Sequence, residues 1–375
     1  MKRVVILLSL APLALASSAA VAQIPIGFRS AVLVESYSFD AGLPFKRLTE
    51  VTVPVGIDIP VSDRGNLSIS TGFVTVDLNS SSSNSLDQTV SGALDTEARF
   101  TWSIIPGRLL FIANGSIPTG NETVDQDELT VIGGLASDII GFAGSNLGSG
   151  GNVGGGFSGA IPVGRWAIGL GSTYRNQLKF RPVVGQADKL DPGDEVQVRT
   201  GIEGPIGRTT YLRVANIYSM RTDDEVGGAK QNTVGDRIVN YLSLNQRIGS
   251  TALTIYGFDV FRTNPQIEPT SVGSAILPRG NLVAVGARWG VRMATRTSVT
   301  PRAEFRTSST ARSDVDRKLR LAGRSIRAGV DLRHELNRHL ALVLQGDGIS
   351  GFVRSEGNSV DFTGFRFAFH SEWTP

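Results

Sequence analysis

The chain has no cysteine in its 375 residues. That excludes a disulfide framework, a thiolate-held metal and thiol chemistry, so stability has to come from packing and backbone pairing. Histidine is almost as scarce, with only His334, His339 and His370. Lysine occurs six times, at 2, 46, 179, 189, 230 and 318, against 31 arginines. Arginine is the side chain that makes rigid, forked, multi-partner contacts. Beyond residue 22 no apolar run approaches the ~20 residues that a membrane helix needs. A chain of this kind that spans a membrane does so as a closed barrel.

What is present begins with an export signal. Lys2 and Arg3 precede an apolar run from Val4 to Ala16, and small residues end in Ala20-Val21-Ala22. This layout predicts a cleaved secretory signal over 1–22 and one mature domain over 23–375. The mature chain carries 35 basic against 34 acidic residues, and this near-neutrality gives no reason to expect a nucleic-acid partner.

From about Phe45 onward the sequence keeps returning to a period of two, the signature of strands. Val51, Val53, Val55, Ile57 and Ile59 alternate with Thr52, Pro54, Gly56 and Asp58. Ala98, Phe100, Trp102 and Ile104 alternate with Glu97, Arg99, Thr101 and Ser103. Val196, Val198, Thr200 and Ile202 alternate with Glu195, Arg199 and Glu203, and Ile326, Ala328, Val330 and Leu332 with Arg327, Asp331 and Arg333.

Alternation alone also suits a water-soluble sandwich or propeller. The connections discriminate. Short turns recur at Ser62-Asp63-Arg64-Gly65, Pro106-Gly107-Arg108, Val163-Gly164-Arg165, Ile206-Gly207-Arg208, Gly249-Ser250, Thr295-Arg296-Thr297 and Asn337-Arg338. Between them lie longer polar connections, such as Asn79 to Gln88, Gly185 to Gly193, Asp223 to Asp236, Asn264 to Gly280 and Ala311 to Arg317. A strict short–long alternation is the pattern of outer-membrane barrels, with short periplasmic turns and long outer loops. The expected fold is all-β: a transmembrane antiparallel up-and-down barrel of 16 strands. Fourteen is the alternative, because alternation is poor over Phe28 to Phe39 and uncertain over Asn66 to Leu78.

In the last strand, Val360 to Trp373, Gly364, Phe367 and Phe369 stand in the order Gly-x-x-aromatic-x-aromatic. This resembles the terminal assembly signal of bacterial outer-membrane barrels, which implies barrel-assembly machinery as a partner. The chain differs in having Phe362 where a polar residue is usual and in continuing to Thr374 and Pro375.

If the apolar parity faces lipid, the lumen receives Glu97, Arg99, Glu195, Arg199, Arg288, Arg292, Arg302, Glu304, Arg306, Arg327, Asp331 and Arg333. A hairpin centred on Arg296 would set Arg288 opposite Glu304. These groups suit either wall salt bridges or a water-filled pore whose Arg-enriched wall mildly favours anionic solutes.

One stretch departs from strand grammar, Thr119 to Asn152. Asp125 and Glu128 have capping-box spacing, and Leu129, Ile132, Leu135, Ala136, Ile139, Ile140 and Ala143 recur at helical intervals. The pattern predicts an amphipathic helix of about four turns, although Gly133 and Gly134 would each cost about 1 kcal/mol in its interior. Such a helix either caps the surface, folds into the mouth as a constriction, or forms an apolar capture groove. The step Ile117-Pro118-Thr119-Gly120, followed by acidic, helical and Gly-rich sequence, resembles FadL-type and aromatic-degradation-pathway outer-membrane transporters. That resemblance implies uptake of hydrophobic small molecules, although no N-terminal plug segment precedes the strands as it does in fatty-acid transporters.

No catalytic constellation, metal site or cofactor is expected. Adjacent strand residues such as His370 and Ser371 point to opposite faces, the Gly-rich run Gly148 to Gly156 lacks a phosphate-loop lysine, and Asp125, Asp127 and Glu128 read as a solvated helix start rather than an ion site. The expected function is an outer-membrane channel for passive or semi-selective diffusion or uptake of small solutes. The other reading is a non-conducting structural or surface-interaction barrel. Outer-membrane lipid and a possible homo-oligomer complete the expected partners.

Overall fold

A computed structural model describes residues 26–81, 87–125, 128, 131, 139–142, 148–185, 187–230, 235–263, 279–311, 318–355 and 357–374. The predicted signal segment, and Leu129, Ile132 and Leu135 of the predicted helix, lie outside them.

The described residues form a closed antiparallel barrel of 16 strands. They are β1 (Gly27–Phe39), β2 (Phe45–Ser62), β3 (Gly65–Ser80), β4 in two pieces (Gln88–Ala93 and Thr96–Ile105), β5 (Leu109–Ile117), β6 (Asn152–Val163), β7 (Trp166–Gln177) and β8 (Glu195–Ile206). The second half is β9 (Thr210–Arg221), β10 (Arg237–Ile248), β11 (Thr251–Arg262), β12 (Gly280–Ala294), β13 (Thr297–Ala311), β14 (Leu319–Glu335), β15 (Leu340–Ser355) and β16 (Asn358–Trp373). Each strand pairs with its sequence neighbours, and β1 pairs with β16 from Phe28–Trp373 to Phe39–Phe362, which leaves no sheet edge.

All seven predicted short turns join strands at one end of the barrel. Gly107, Gly164, Gly207 and Gly249 sit there at φ +70°, +63°, +75° and +59°, in the left-handed region that a two- or three-residue hairpin requires. The strict short–long alternation is corrected at two places. At the other end β1 joins β2 through residues 40–44 alone, and β15 joins β16 through 356–357.

Strand length divides the wall. β5 to β11 run 9 to 12 residues, whereas β2, β3 and β12 to β16 run 15 to 18. In the lower part of the barrel Val51, Phe73, Trp102, Leu170, Leu242, Trp289, Phe305, Ile326 and Phe367 face outward, an apolar belt fit for lipid. The upper part of β1 to β3 reverses this. Tyr37, Phe39, Leu48, Val74, Val76 and Leu78 point inward and are buried, while Ser36, Thr49 and Asp77 take the outer parity. Above the lipid the outer surface meets water, so the apolar parity has to change sides. This phase change is the physical reason that alternation looks poor over Phe28 to Phe39.

In β4 the residues Leu94, Asp95 and Thr96 oppose only Thr71 and Gly72 of β3, between the pairs Phe73–Ala93 and Ser70–Glu97. The extra residue is a bulge that moves every later side chain to the other face. In β16, a Cβ on Gly364 would lie 2.5 Å from Tyr37 Cδ1 and 2.6 Å from Ser36 O. The absent side chain is the space the Tyr37 ring occupies.

Candidate functional site: the mouth and its third outer connection

The third outer connection, residues 118–151, leaves β5 and returns to β6. Its base is held by the β4 bulge. Asp95 accepts hydrogen bonds from Gly120 N (3.1 Å), Ser149 N (2.8 Å) and Ser149 Oγ (3.0 Å), so one carboxylate ties both ends of the connection. Thr119 Oγ1 donates to Leu94 O at 3.0 Å and Asn121 Nδ2 to Ser91 O at 3.0 Å. Further on, Val124 N donates to Pro182 O, and Val184 N donates to Val124 O, which fixes this arm to the next outer connection. Half of the predicted capping box is made, with Asp125 N donating to Glu128 Oε2 at 2.9 Å.

The described part of the connection then reaches the inside of the tall wall. Val131, Ile139, Ile140 and Phe142 are buried in one cluster with Tyr37, Leu48, Val74, Val76, Ile349 and Phe362. The Phe142 ring meets Tyr37 edge-on, 4.8 Å between centroids. Ile139 and Ile140 lie in a turn rather than in the predicted helix, because the chain reverses here with Gly141 at φ +62°. Three successive carbonyls of this turn are taken by the wall. Ser325 Oγ donates to Ile139 O (3.1 Å), Arg327 Nη2 to Ile140 O (3.1 Å) and Arg366 Nη2 to Gly141 O (2.7 Å). A Cβ on Gly141 would displace the Arg306 guanidinium, and its φ of +62° disfavours any side chain.

The same wall carries its own ion pairs. Arg302 binds Asp347 with both Nε (2.9 Å) and Nη2 (2.7 Å) and reaches Asp331 with Nη1, and the Asp347 side chain is fully buried. Arg366 Nε pairs with Glu35, which also accepts from Tyr37 OH at 3.1 Å. Glu304 accepts from Arg306 Nε (2.6 Å) and Tyr256 OH (2.7 Å), and Arg288 lies over the Tyr256 ring, 5.3 Å from its centroid.

All twelve charged residues expected on the inner face stand on the parity opposite the outward apolar side chains. The predicted Arg288–Glu304 pair is corrected. The turn lies on Thr295-Arg296, with Ala294 opposite Thr297, and the register shift between Arg292 and Ala294 adds one more place, so Arg288 stands opposite Arg302, and Glu304 opposite Gly286. Away from that core the charges are open to the lumen, on β4, on β8 of the short wall and toward the short-turn end of β12. Arg99, Arg199, Arg288 and Arg292 are exposed together with Glu97, Arg199 donates to Gln197 Oε1 at 2.8 Å, and Glu195 is paired with Arg175. Arg333 binds Glu372 at 2.6 Å near the short-turn end.

Sequence reasoning singled out none of Glu35, Asp95, Asp347, Arg366 and Phe142. Asp347, between Gly346 and Gly348, did carry a signal: an acidic residue on the inner parity of a strand of small residues. Asp95 had none, because its role depends on a bulge. The histidines gather at the short-turn end, with His334 Nδ1 within 2.9 Å of Thr297 Oγ1, His339 Nδ1 within 2.9 Å of Thr374 O, and His370 Nε2 within 3.2 Å of Gln345 Oε1.

No protein-family model matches the sequence, and no curated protein does. Among solved structures, the fold is similar to a bacterial polysaccharide outer membrane secretin, at 9% identity and TM-score 0.49 over 94% of this chain and 99% of that one. It is also similar to the outer membrane protein OpdK of Pseudomonas aeruginosa, at 11% identity and TM-score 0.47 over 93% and 99%. A third likeness is to OpdQ of the same organism, at 12% identity and TM-score 0.45 over 93% and 98%.

Proposed function

We propose that this barrel is an outer-membrane channel for passive, semi-selective diffusion of small solutes, narrowed by its third outer connection and mildly favouring anions. One observation carries the reading: residues 139–142 sit inside the mouth, bonded to Ser325, Arg327 and Arg366 of one wall, while Glu97 and Arg99 on β4, Arg199 on β8 and Arg288 and Arg292 on β12 stay exposed. Four of the five exposed side chains among the twelve are arginines, and a low-dielectric wall focuses their potential into the lumen. The bonded groups of the tall wall, Arg302, Glu304, Arg306, Asp331 and Arg333 in ion pairs and Arg327 on a loop carbonyl, hold the frame. Gly364, Phe367 and Phe369 serve as the signal for the assembly machinery, and the outward belt is its lipid contact.

Purified full-length protein in planar bilayers tests this directly. Stepwise conductance, with a reversal potential in a KCl gradient displaced toward chloride, is the expected result. A folded barrel that gives no steps would overturn it and favour the non-conducting, surface-interaction reading. A reversal potential displaced toward potassium would overturn the anion preference alone.

A further inference from the structure

The outward face of β8 to β11 carries polar side chains at its short-turn end, Thr210 and Gln246, and along one row within the apolar belt. Thr200, Asn216, Asn240 and Asp259 are direct cross-strand partners on four successive strands. Asn216 Nδ2 donates to Asn240 Oδ1 at 2.7 Å, and Asn240 Nδ2 donates to Asp259 Oδ2 at 3.2 Å. The row does not lie at the rim of the apolar belt. On its outer side runs the row Val198, Tyr218, Ile238 and Phe261, and on the other side Ile202, Val214, Leu242 and Gly257. A hydrogen-bonded ladder ending in a carboxylate is therefore enclosed by apolar rows on a face that a lone barrel would turn to acyl chains.

Acyl chains offer no hydrogen bonds, and an acidic side chain on a lipid face is costly. Each amide in the ladder has two N–H donors and an oxygen with two acceptor sites, and along the ladder each uses one donor and at most one acceptor site, whereas Asp259 Oδ1 is buried without a partner among the described residues. The row thus holds both donors and acceptors in surplus, which makes it self-complementary. Every copy of this chain inserts with the same orientation and carries the row at the same depth. A two-fold axis along the membrane normal through Asn240 would set amide against amide. Gly257, outward and next to Asp259 on the same strand face, leaves room for close approach.

We propose that this face is the contact through which copies of this chain associate in the membrane, with Asn216, Asn240 and Asp259 as its polar centre. The proposal stands whether or not the barrel conducts. The absence of cysteine makes the test clean. In full-length protein, Leu242→Cys is placed beside the ladder without touching it, and Ile57→Cys marks the outward face of β2. In membranes, a short bis-maleimide should link Leu242→Cys into dimers and leave Ile57→Cys monomeric. Adding Asn240→Leu and Asp259→Leu should lower the Leu242→Cys yield about tenfold and reduce the extracted assembly to monomer mass. Heat-modifiable gel migration confirms that each variant remains folded. Monomeric wild type, linking at Ile57→Cys rather than Leu242→Cys, or an assembly that survives the double leucine replacement would each overturn the proposal. So would a wild-type monomer that carries bound lipid on this face.

Discussion

The tall wall of β1 to β3 and β12 to β16 and the short wall of β5 to β11 have the same strand grammar but use their inner charges differently. On the tall wall, Arg302, Arg327 and Arg366 are half-buried or deeper, and each is spent on a carboxylate or a loop carbonyl. On the short wall Arg199 is exposed, as are Arg99 on β4 and Arg288 and Arg292 toward the short-turn end of β12, away from the upper part of the tall wall. The difference follows from what the strands enclose. Longer strands rise above the lipid, their inner face becomes a small apolar core, and the third outer connection completes that core with Val131, Ile139, Ile140 and Phe142. Inner charges next to such a core must be paired. Charges facing open water need not be, and they remain available to a solute.

Breaking the tall wall should have the largest effect. Arg366→Ala removes the guanidinium from the buried Glu35 and the donor from Gly141 O. Loss of one member of a buried ion pair costs about 3–5 kcal/mol, so the folded-to-unfolded transition on heated gels should fall clearly. Unitary conductance should rise as the turn at 139–142 loosens. Unchanged conductance with the same fall in stability would show that the turn does not narrow the path.

Phe142→Ala comes next. It empties the edge-on contact with Tyr37 in the cluster that seats the connection, at a cost of about 3 kcal/mol. It too should widen the channel, but without touching any charge, so anion preference should stay as it was. Asp95→Ala should cost less, about 1–2 kcal/mol for hydrogen bonds to a partly solvated carboxylate. Its mark should be noise in single-channel records, because both ends of the connection lose their shared anchor while the buried turn keeps its own.

These contrasts also mark what the sequence could and could not disclose. Turns and lipid-facing alternation are local, so the barrel, its strand number and the inner parity of the charged residues were legible. Whether an inner charge is spent or free depends on neighbours far along the chain: Glu35 and Arg366 are joined only where the barrel closes. The bulge at Leu94–Thr96 and the register shift near Arg292 change which residues face each other by a single position. No composition or period reports such a shift; together with a turn that lies on Thr295-Arg296 rather than centring on Arg296, it moves the partner of Arg288 two places, from Glu304 to Arg302. Of the apolar spacing read as a helix over the third connection, the described positions Ile139 and Ile140 are buried. At Ile139 and Ile140, however, the burial is achieved in a turn whose carbonyls are bonded to the wall.

The smallest effect on stability, and the sharpest on selectivity, is expected from the short wall. Arg199 is exposed and donates one side-chain hydrogen bond, to Gln197. Exposed charges add little to folding, so Arg199→Glu should leave the heated-gel transition where it is in the wild type. The same change reverses one of the few unspent charges in the lumen and sets it near Glu195, whose own charge is already matched by Arg175. Chloride preference in a KCl gradient should therefore fall in Arg199→Glu and fall further in the double variant Arg99→Glu, Arg199→Glu. Raising the salt should shrink the difference, since screening over about 10 Å at 0.1 M shortens further at higher ionic strength. If Arg199→Glu instead destabilised the barrel and left the reversal potential alone, the division of labour between the two walls would fail. The exposed arginines would then have to be counted as part of the frame.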